Sequence, residues 1–340
     1  MDQSELARIA HAMVAPGRGI LAADESTGTI KKRFDVIGVE STEANRRAYR
    51  ELLFTTPGAA DAIAGVILYD ETLRQSASTG ERFVDLLTRL GIVPGIKVDA
   101  GTKPLPNFPG EVATEGLDGL AARLAEYRKL GARFAKWRAV IDIGAGIPSR
   151  TAIETNAELL ARYAALCQAA DVVPIVEPEV LMDGAHPLAR CEEVTDAVLA
   201  EVFDRLLAHR VCLEGMVLKP NMVISGAKCV SRAGAPEVAE ATIRCLKRHV
   251  PAAVPGIAFL SGGQSETEAT LHLDLIHRGA SLPWLASFSY GRALQHTVLE
   301  TWRGLAANVP AAQRAFAKRA RLNGLATQGR YDAAMELVPA

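Results

Sequence analysis

The chain has 340 residues, 49% of them hydrophobic, and a formal net charge of -1. That is ample for a large core, and it gives no overall electrostatic reason to expect nucleic acid or an anionic membrane as a partner. The five cysteines (Cys167, Cys191, Cys212, Cys229, Cys245) are widely spaced with no Cys-x-x-Cys, so they read as reduced thiols of a cytoplasmic protein, not as a disulfide framework or a zinc ribbon.

The opening Met1-Asp2-Gln3-Ser4-Glu5 leads into a helix pattern, not a signal peptide, and no apolar run approaches membrane-spanning length. Leu6, Ile9 and Met13 mark one face of a helix over residues 4–14. Ile20-Leu21-Ala22-Ala23 reads as a strand ending in Asp24-Glu25-Ser26, and residues 42–54 as a charged helix. A second strand, 64–68, is followed by a helix face at Phe83, Leu86, Leu87 and Leu90. The third strand, 95–99, precedes a helix marked by Leu117, Leu120, Leu124, Tyr127 and Leu130. Strands at 134–140 and 173–179 flank a helix from about Glu154 to Ala169, and Val194, Val198, Val202 and Leu206 stripe the next one. The sixth strand is the apolar run Gly215-Met216-Val217-Leu218, the seventh 256–260 and the eighth 285–288. Pro236 and Glu237 start the helix between the sixth and seventh strands. Ser265-x-x-Glu268 has the pattern of a capping box, and Pro310 suits the first turn of a last helix ending near Asn323. From Tyr331 onward the residues predict a loose tail.

Eight strand-then-helix units in sequence imply a parallel sheet with helical crossovers, and eight is the count at which such a sheet closes. The expected fold is α/β: a (β/α)₈ TIM barrel with extra N- and C-terminal helices. Residues 1–340 are expected to form one domain, with a core over about 15–305 and a C-terminal helix and tail over 306–340. An open doubly wound sheet is the alternative, but no strand is followed by a Gly-x-Gly-x-x-Gly turn.

Pro220 directly follows Lys219 and stops the sixth strand, so Lys219 sits at its carboxyl end. Alone, that stretch fits a lysine snorkelling to water. The other strand ends reverse the odds, because they carry Asp24, Lys97, Lys136, Arg138, Glu177, Glu179, Ser261 and Arg292. Side chains i and i+2 on a strand share a face, which pairs Lys136 with Arg138 and Glu177 with Glu179 and turns Trp137 toward the helices. Barrel active sites lie at these ends, so the charges make a polar pocket converging on Lys219.

Seven motifs in order resemble the class I fructose-1,6-bisphosphate aldolases. They are Gly19-Ile20-Leu21-Ala22-Ala23-Asp24-Glu25-Ser26, Gly95-Ile96-Lys97-Val98-Asp99, Ala135-Lys136-Trp137-Arg138, Ile175-Val176-Glu177-Pro178-Glu179, Leu218-Lys219-Pro220-Asn221-Met222, Leu260-Ser261-Gly262-Gly263-Gln264-Ser265 and Phe288-Ser289-Tyr290-Gly291-Arg292. The resemblance implies reversible cleavage of fructose 1,6-bisphosphate to two triose phosphates through a Schiff base on Lys219, with no metal or other cofactor. Glu177 matches the acid/base that moves protons as the carbinolamine loses water, and Asp24 the group that handles the hydroxyl proton during cleavage. Lys136 is expected to disfavour a second ammonium beside it, and Glu179 to orient or balance the lysines. One phosphate is expected at Ser261, Gly262, Gly263, Ser289, Gly291 and Arg292, where backbone N–H groups at helix starts meet a guanidinium. The other is expected at Lys97, Arg138 and Arg33, near Thr29. Arg46 is the weaker candidate there, a solvated helix charge being the better reading.

No histidines have metal-ligand spacing; His272 and His277 are five apart and do not share a helix face. Other readings keep the barrel but change its use: a seven-carbon bisphosphate as substrate, an idle binding scaffold, or a pyridoxal-phosphate lysine. The family is often tetrameric, so a homotetramer is the assembly the resemblance suggests, although no sequence feature fixes an interface. Animal and plant members end in a mobile tail with a terminal tyrosine; here the last residues are Met335-Glu336-Leu337-Val338-Pro339-Ala340, after Tyr331. The expectation is slower exchange of the enamine proton than cleavage.

Overall fold

The computed structural model describes residues 2–279 and 281–338. Eight parallel strands close into a barrel: β1 (Gly19–Ala23), β2 (Ile63–Leu68), β3 (Val93–Lys97), β4 (Phe134–Ile141), β5 (Val173–Val180), β6 (Val217–Leu218), β7 (Gly256–Phe259) and β8 (Leu285–Tyr290). Pairing of Ile20 with Ser289 and Leu21 with Tyr290 joins the last strand to the first and excludes the open sheet. Helices, among them Glu43–Phe54, Arg150–Ala169, Leu188–Ala208 and Ala235–His249, connect successive strands.

Strand periodicity explains where the charges stand. One apolar cluster gathers inward-facing residues low in the barrel: Ile20, Ala22, Ile67, Val93, Phe134, Val173, Ile175, Val217, Ala258 and Leu285. Helix Gln3–Met13 adds Leu6, Ile9, Ala10 and Met13 to that cluster. Two residues further along four of the strands the same face turns polar: Asp24 follows Ala22, Lys136 follows Phe134, Glu177 follows Ile175 and Lys219 follows Val217. The alternate residues belong to the larger core between strands and helices. Trp137 is one of them, its ring 5.5 Å from that of Tyr163 on Arg150–Ala169, as the alternation predicts.

Phe134 fills the barrel over β3. A Cβ added to Gly95 meets the Phe134 ring at 2.2 Å, and a buried ring at that distance must move. Gly95→Ala is therefore expected to cost about 1–3 kcal/mol by overpacking, read as a lower urea midpoint with an unchanged slope.

Several elements differ from the sequence reading. The sixth strand is only Val217–Leu218, and Leu213–Gly215 forms a 3₁₀ turn. The Gln168 amide donates to the Cys212 carbonyl at 2.7 Å and the Gly215 carbonyl at 3.3 Å, so that backbone is committed to a side chain instead of the sheet. β3 ends at Lys97, leaving Val98 and Asp99 beyond it. Helix Thr27–Val36 had not been expected; Ser26 Oγ caps it through the Thr29 N–H. A hairpin, Thr102–Pro104 with Val112–Thr114, follows β3 and was also unforeseen. The tail is tied down as far as Val338: Glu336 pairs with Arg319 at 2.7 Å and accepts from Tyr331 at 2.9 Å, and Lys318 donates to the Val338 carbonyl at 2.6 Å. The expectation for Pro339 and Ala340 falls outside the described residues. Ser265 and Glu268 do form the capping box, exchanging backbone N–H bonds at 2.9 and 3.1 Å.

Candidate active site

A cavity of about 370 Å³ opens at the carboxyl ends of the strands. Its wall includes Asp24, Thr29, Arg33, Lys97, Lys136, Arg138, Glu177, Glu179, Lys219, Ser261, Gly262, Ser289, Gly291 and Arg292. Of the site residues read from the sequence, Gly263 is outside this wall; at φ +77° its Cβ position faces Met182 Sδ at 2.9 Å.

At the centre, two lysines share one carboxylate. Lys219 Nζ lies 2.9 Å from Glu177 Oε1, and Lys136 Nζ lies 3.2 Å from Glu177 Oε2. Lys136 also binds Asp24 at 2.8 Å and faces Asp99 at 3.9 Å. Four of these five side chains are buried and that of Asp24 is 13% exposed, so these charges interact with little screening from water. Burial pushes the Asp24 carboxyl up, but Lys136, Lys219 and Lys97 outweigh it and hold the group well below the usual aspartate range. Glu177 is likewise lowered: burial opposes ionisation, and Lys136, Lys219 and Arg138 overcome it. Burial disfavours the Lys136 ammonium, yet Asp24, Glu177 and Asp99 hold it protonated far above the ordinary lysine range. Both carboxylates are therefore ionised at neutral pH.

The cavity's other cations are paired too, with one exception. Lys97 binds Asp99 at 2.9 Å, Arg138 binds Glu179, and Arg33 binds Glu25. Arg292 has no ion pair among the described residues. Gly291 caps helix Arg292–Trp302, whose first N–H groups lack intrahelical acceptors, and the buried Ser289 Oγ finds no hydrogen-bond partner among the described residues. An unpaired guanidinium, a helix N-terminus and a free hydroxyl together suit a phosphate.

Three local expectations need correction. Ser261-Gly262-Gly263 is a turn, not a helix start: Gly262 and Gly263 have φ of +50° and +77°, and the helix begins at Glu266. The turn is held from behind, because Gln264 donates to the Ser261 carbonyl and its Oε1 meets His272 Nδ1 at 2.5 Å. Burial lowers His272 to about 4, so the ring is neutral and its role here is structural. Arg33 does not group with Lys97 and Arg138; its Nη2 is 3.6 Å from the Cβ position of Gly291, at the Arg292 end. Arg46 is neither solvated nor in the cavity wall, since it pairs with Glu71 at 2.5 Å.

The sequence reading missed Asp99, Glu25, Arg50 and Gln295. Glu25 is buried between Arg33 and Arg50, the latter at 2.5 Å, and Gln295 donates to it at 3.2 Å. A signal was present: Arg46 and Arg50 are one turn apart on a helix, and Arg50 interrupts a buried face with Tyr49, Leu52 and Leu53. Glu25→Gln leaves two guanidinium groups facing a neutral amide and is expected to cost about 3–5 kcal/mol of stability. Burial raises the Glu25 pKa, but Arg33 and Arg50 hold it below the ordinary 4.5. A depressed folded pKa stabilises fully above the unfolded value and fades as pH falls through the folded one. The stability gap between wild type and variant should thus be constant above pH 4.5 and shrink below it, as followed by urea unfolding at each pH.

A family model described as class-I fructose-bisphosphate aldolase matches residues 5–338. The chain belongs to the class I fructose-bisphosphate aldolase family. A relative from Xanthomonas axonopodis pv. citri, named probable fructose-bisphosphate aldolase class 1, is 56% identical over 97% of this chain and 99% of its own length. The non-muscle type aldolase of Lethenteron camtschaticum is 55% identical over 97% of this chain and 91% of its own. Among solved structures, the Plasmodium falciparum fructose-bisphosphate aldolase, in complex with TRAP and a small molecule inhibitor, superposes with a TM-score of 0.96 at 50% identity, covering 97% of this chain and 96% of that one. This aldolase family is metal-independent, and among the described residues no group of three or more His, Cys, Asp or Glu side chains is arranged to hold a metal ion. No helix among the described residues is long and apolar enough to cross a membrane.

Proposed function

We propose that the chain cleaves fructose 1,6-bisphosphate reversibly into dihydroxyacetone phosphate and glyceraldehyde 3-phosphate through a Schiff base on Lys219, in glycolysis and gluconeogenesis. The observation that carries this reading is the buried Lys219–Glu177–Lys136–Asp24 cluster, with Lys219 Nζ 2.9 Å from Glu177. At that distance Glu177 can take a proton from the Lys219 nitrogen and return it to the carbinolamine hydroxyl, which leaves as water. The resulting protonated imine withdraws electrons from C3. Asp24, ionised beside Lys136, accepts the proton of the C4 hydroxyl as the C3–C4 bond breaks. The aldehyde triose leaves, and the electron pair stays as an enamine. Protonation of the enamine at C3 and hydrolysis of the imine release the ketose phosphate and restore Lys219.

Strand order supports one assignment of the two phosphates. The ketone carbon must sit at Lys219 on the end of β6. Its nearer phosphate, one carbon away, fits the neighbouring β7 and β8 ends, where Ser261, Gly262, Ser289, Gly291 and Arg292 stand. Thr29 and Arg33 border that side from helix Thr27–Val36. The distant phosphate reaches across to Lys97 and Arg138 on β3 and β4, with Glu179 holding Arg138.

In the same reading the chain is one barrel domain, since helix Val309–Ala326 packs against helices Glu43–Phe54 and Arg292–Trp302. Free cysteines suit the cytoplasm, and family resemblance supports a homotetramer, which light scattering checks. The test of function is a coupled assay for both triose phosphates. Cleavage that persists in excess chelator supports the reading, and a folded protein that releases neither product contradicts it.

A further inference from the structure

We propose that Asp99 is a positioning residue that aims Lys97 at the phosphate farthest from the reacting ketone. This inference rests on the function proposed above. Lys97 is the last residue of β3, and a free lysine there would have four rotatable bonds and no fixed direction. Asp99 removes that freedom twice: its Oδ1 lies 2.9 Å from Lys97 Nζ, and its own carbonyl accepts from Nζ at 3.0 Å.

Asp99 is itself held on every side. Its carboxylate accepts from the Gly101 N–H at 3.2 Å and the Arg138 N–H at 3.4 Å, and Oδ2 faces Lys136 at 3.9 Å. The backbone around it is pinned by the hairpin: the Ala100 N–H donates to the Glu115 carbonyl at 2.8 Å, and the Glu115 N–H to the Gly101 carbonyl at 3.0 Å. Arg123 donates to the Val98 carbonyl at 3.0 Å from outside. The Asp99 side chain is 4% exposed and that of Lys97 is 18%, so the carboxylate is the fixed partner and the ammonium the one that reaches the cavity. A preorganised cation loses less on binding than one that must first be ordered.

The test compares two sugars that differ only at the far end, fructose 1,6-bisphosphate and fructose 1-phosphate. In Asp99→Asn the ratio of their kcat/KM values should fall about tenfold, mostly through a higher KM for the bisphosphate, the scale of one charge-assisted hydrogen bond. Lys97→Met should lower the same ratio, and adding Asp99→Asn to Lys97→Met should lower it no further. A general structural role for Asp99 damages both sugars alike and leaves the ratio unchanged, which overturns the proposal. So does an additive fall in the double variant, or a ratio insensitive to Lys97→Met. If Asp99→Asn does not fold, Asp99→Ser is compared in the same way. A wild type that cleaves neither sugar removes the parent reading and this inference with it, whereas a wild type that cleaves both with an unmoved ratio in the variants removes this inference alone.

Discussion

Lys219→Met is expected to fold and to lose fructose 1,6-bisphosphate cleavage by a factor of about 10⁴–10⁶, the scale on which removal of a covalent nucleophile acts. Methionine keeps the length and burial of the side chain but cannot form an imine. The fold should tolerate it: Lys219 is 4% exposed, and the charged groups nearest it keep partners. Glu177 keeps Lys136 at 3.2 Å, and Lys136 keeps Asp24 at 2.8 Å. Steady-state kinetics with circular dichroism on the same sample checks both halves. A loss smaller than tenfold in a folded variant would mean that another group carries the covalent chemistry.

The second large effect is expected at Glu177. Glu177→Gln should lower kcat by about 10²–10⁴, the range for a general acid/base, with a smaller change in KM. The amide keeps the shape of the carboxylate but cannot take the proton from Lys219 or return it to the departing hydroxyl. Imine formation should slow along with turnover, so reductive trapping in the variant should be slower as well. A variant that traps at the wild-type rate yet turns over slowly would move the role of Glu177 to a later step. The charge change has a second consequence. Lys136, Lys219 and Arg138 hold the Glu177 carboxyl below the ordinary 4.5 against the cost of burial. Its contribution to stability is therefore complete above that value and lost as the solution is acidified below it.

These residues were legible in the sequence because strand geometry is local. A charge at the end of an apolar run, with its i+2 neighbour on the same face, predicts an inward polar group from the chain alone, and Lys136, Glu177 and Lys219 all follow that rule. Pro220 fixed the end of the sixth strand without any partner being known. The groups that were missed act through tertiary packing. Arg50 reaches Glu25 from the helix before β2, and Gln295 reaches it from the helix after β8, separations of 25 and 270 residues. Asp99 lies beyond the end of β3, where period-two reasoning has no purchase, and its geometry depends on a hairpin that carries little apolar patterning of its own. The over-long sixth strand has the same origin. Gly215 looks like strand from its neighbours, and it is Gln168, 47 residues away, that takes its carbonyl out of the sheet.

The shared carboxylate also explains why Lys219 can sit so deep. A buried ammonium or carboxylate alone is costly, and here each lysine faces Glu177 while Asp24 and Asp99 complete the surroundings of Lys136. In the proposed reaction bound substrate takes over some of these pairings, and the cations at the two ends of the cavity attract its phosphates.

The central claim is that Lys219 becomes covalently joined to the substrate. Its most direct test is borohydride reduction of the protein in the presence of fructose 1,6-bisphosphate, followed by peptide mass mapping. The predicted result is one stable adduct on the peptide that contains Lys219, absent from Lys219→Met. An adduct confined to another lysine, or none from a folded protein, contradicts it.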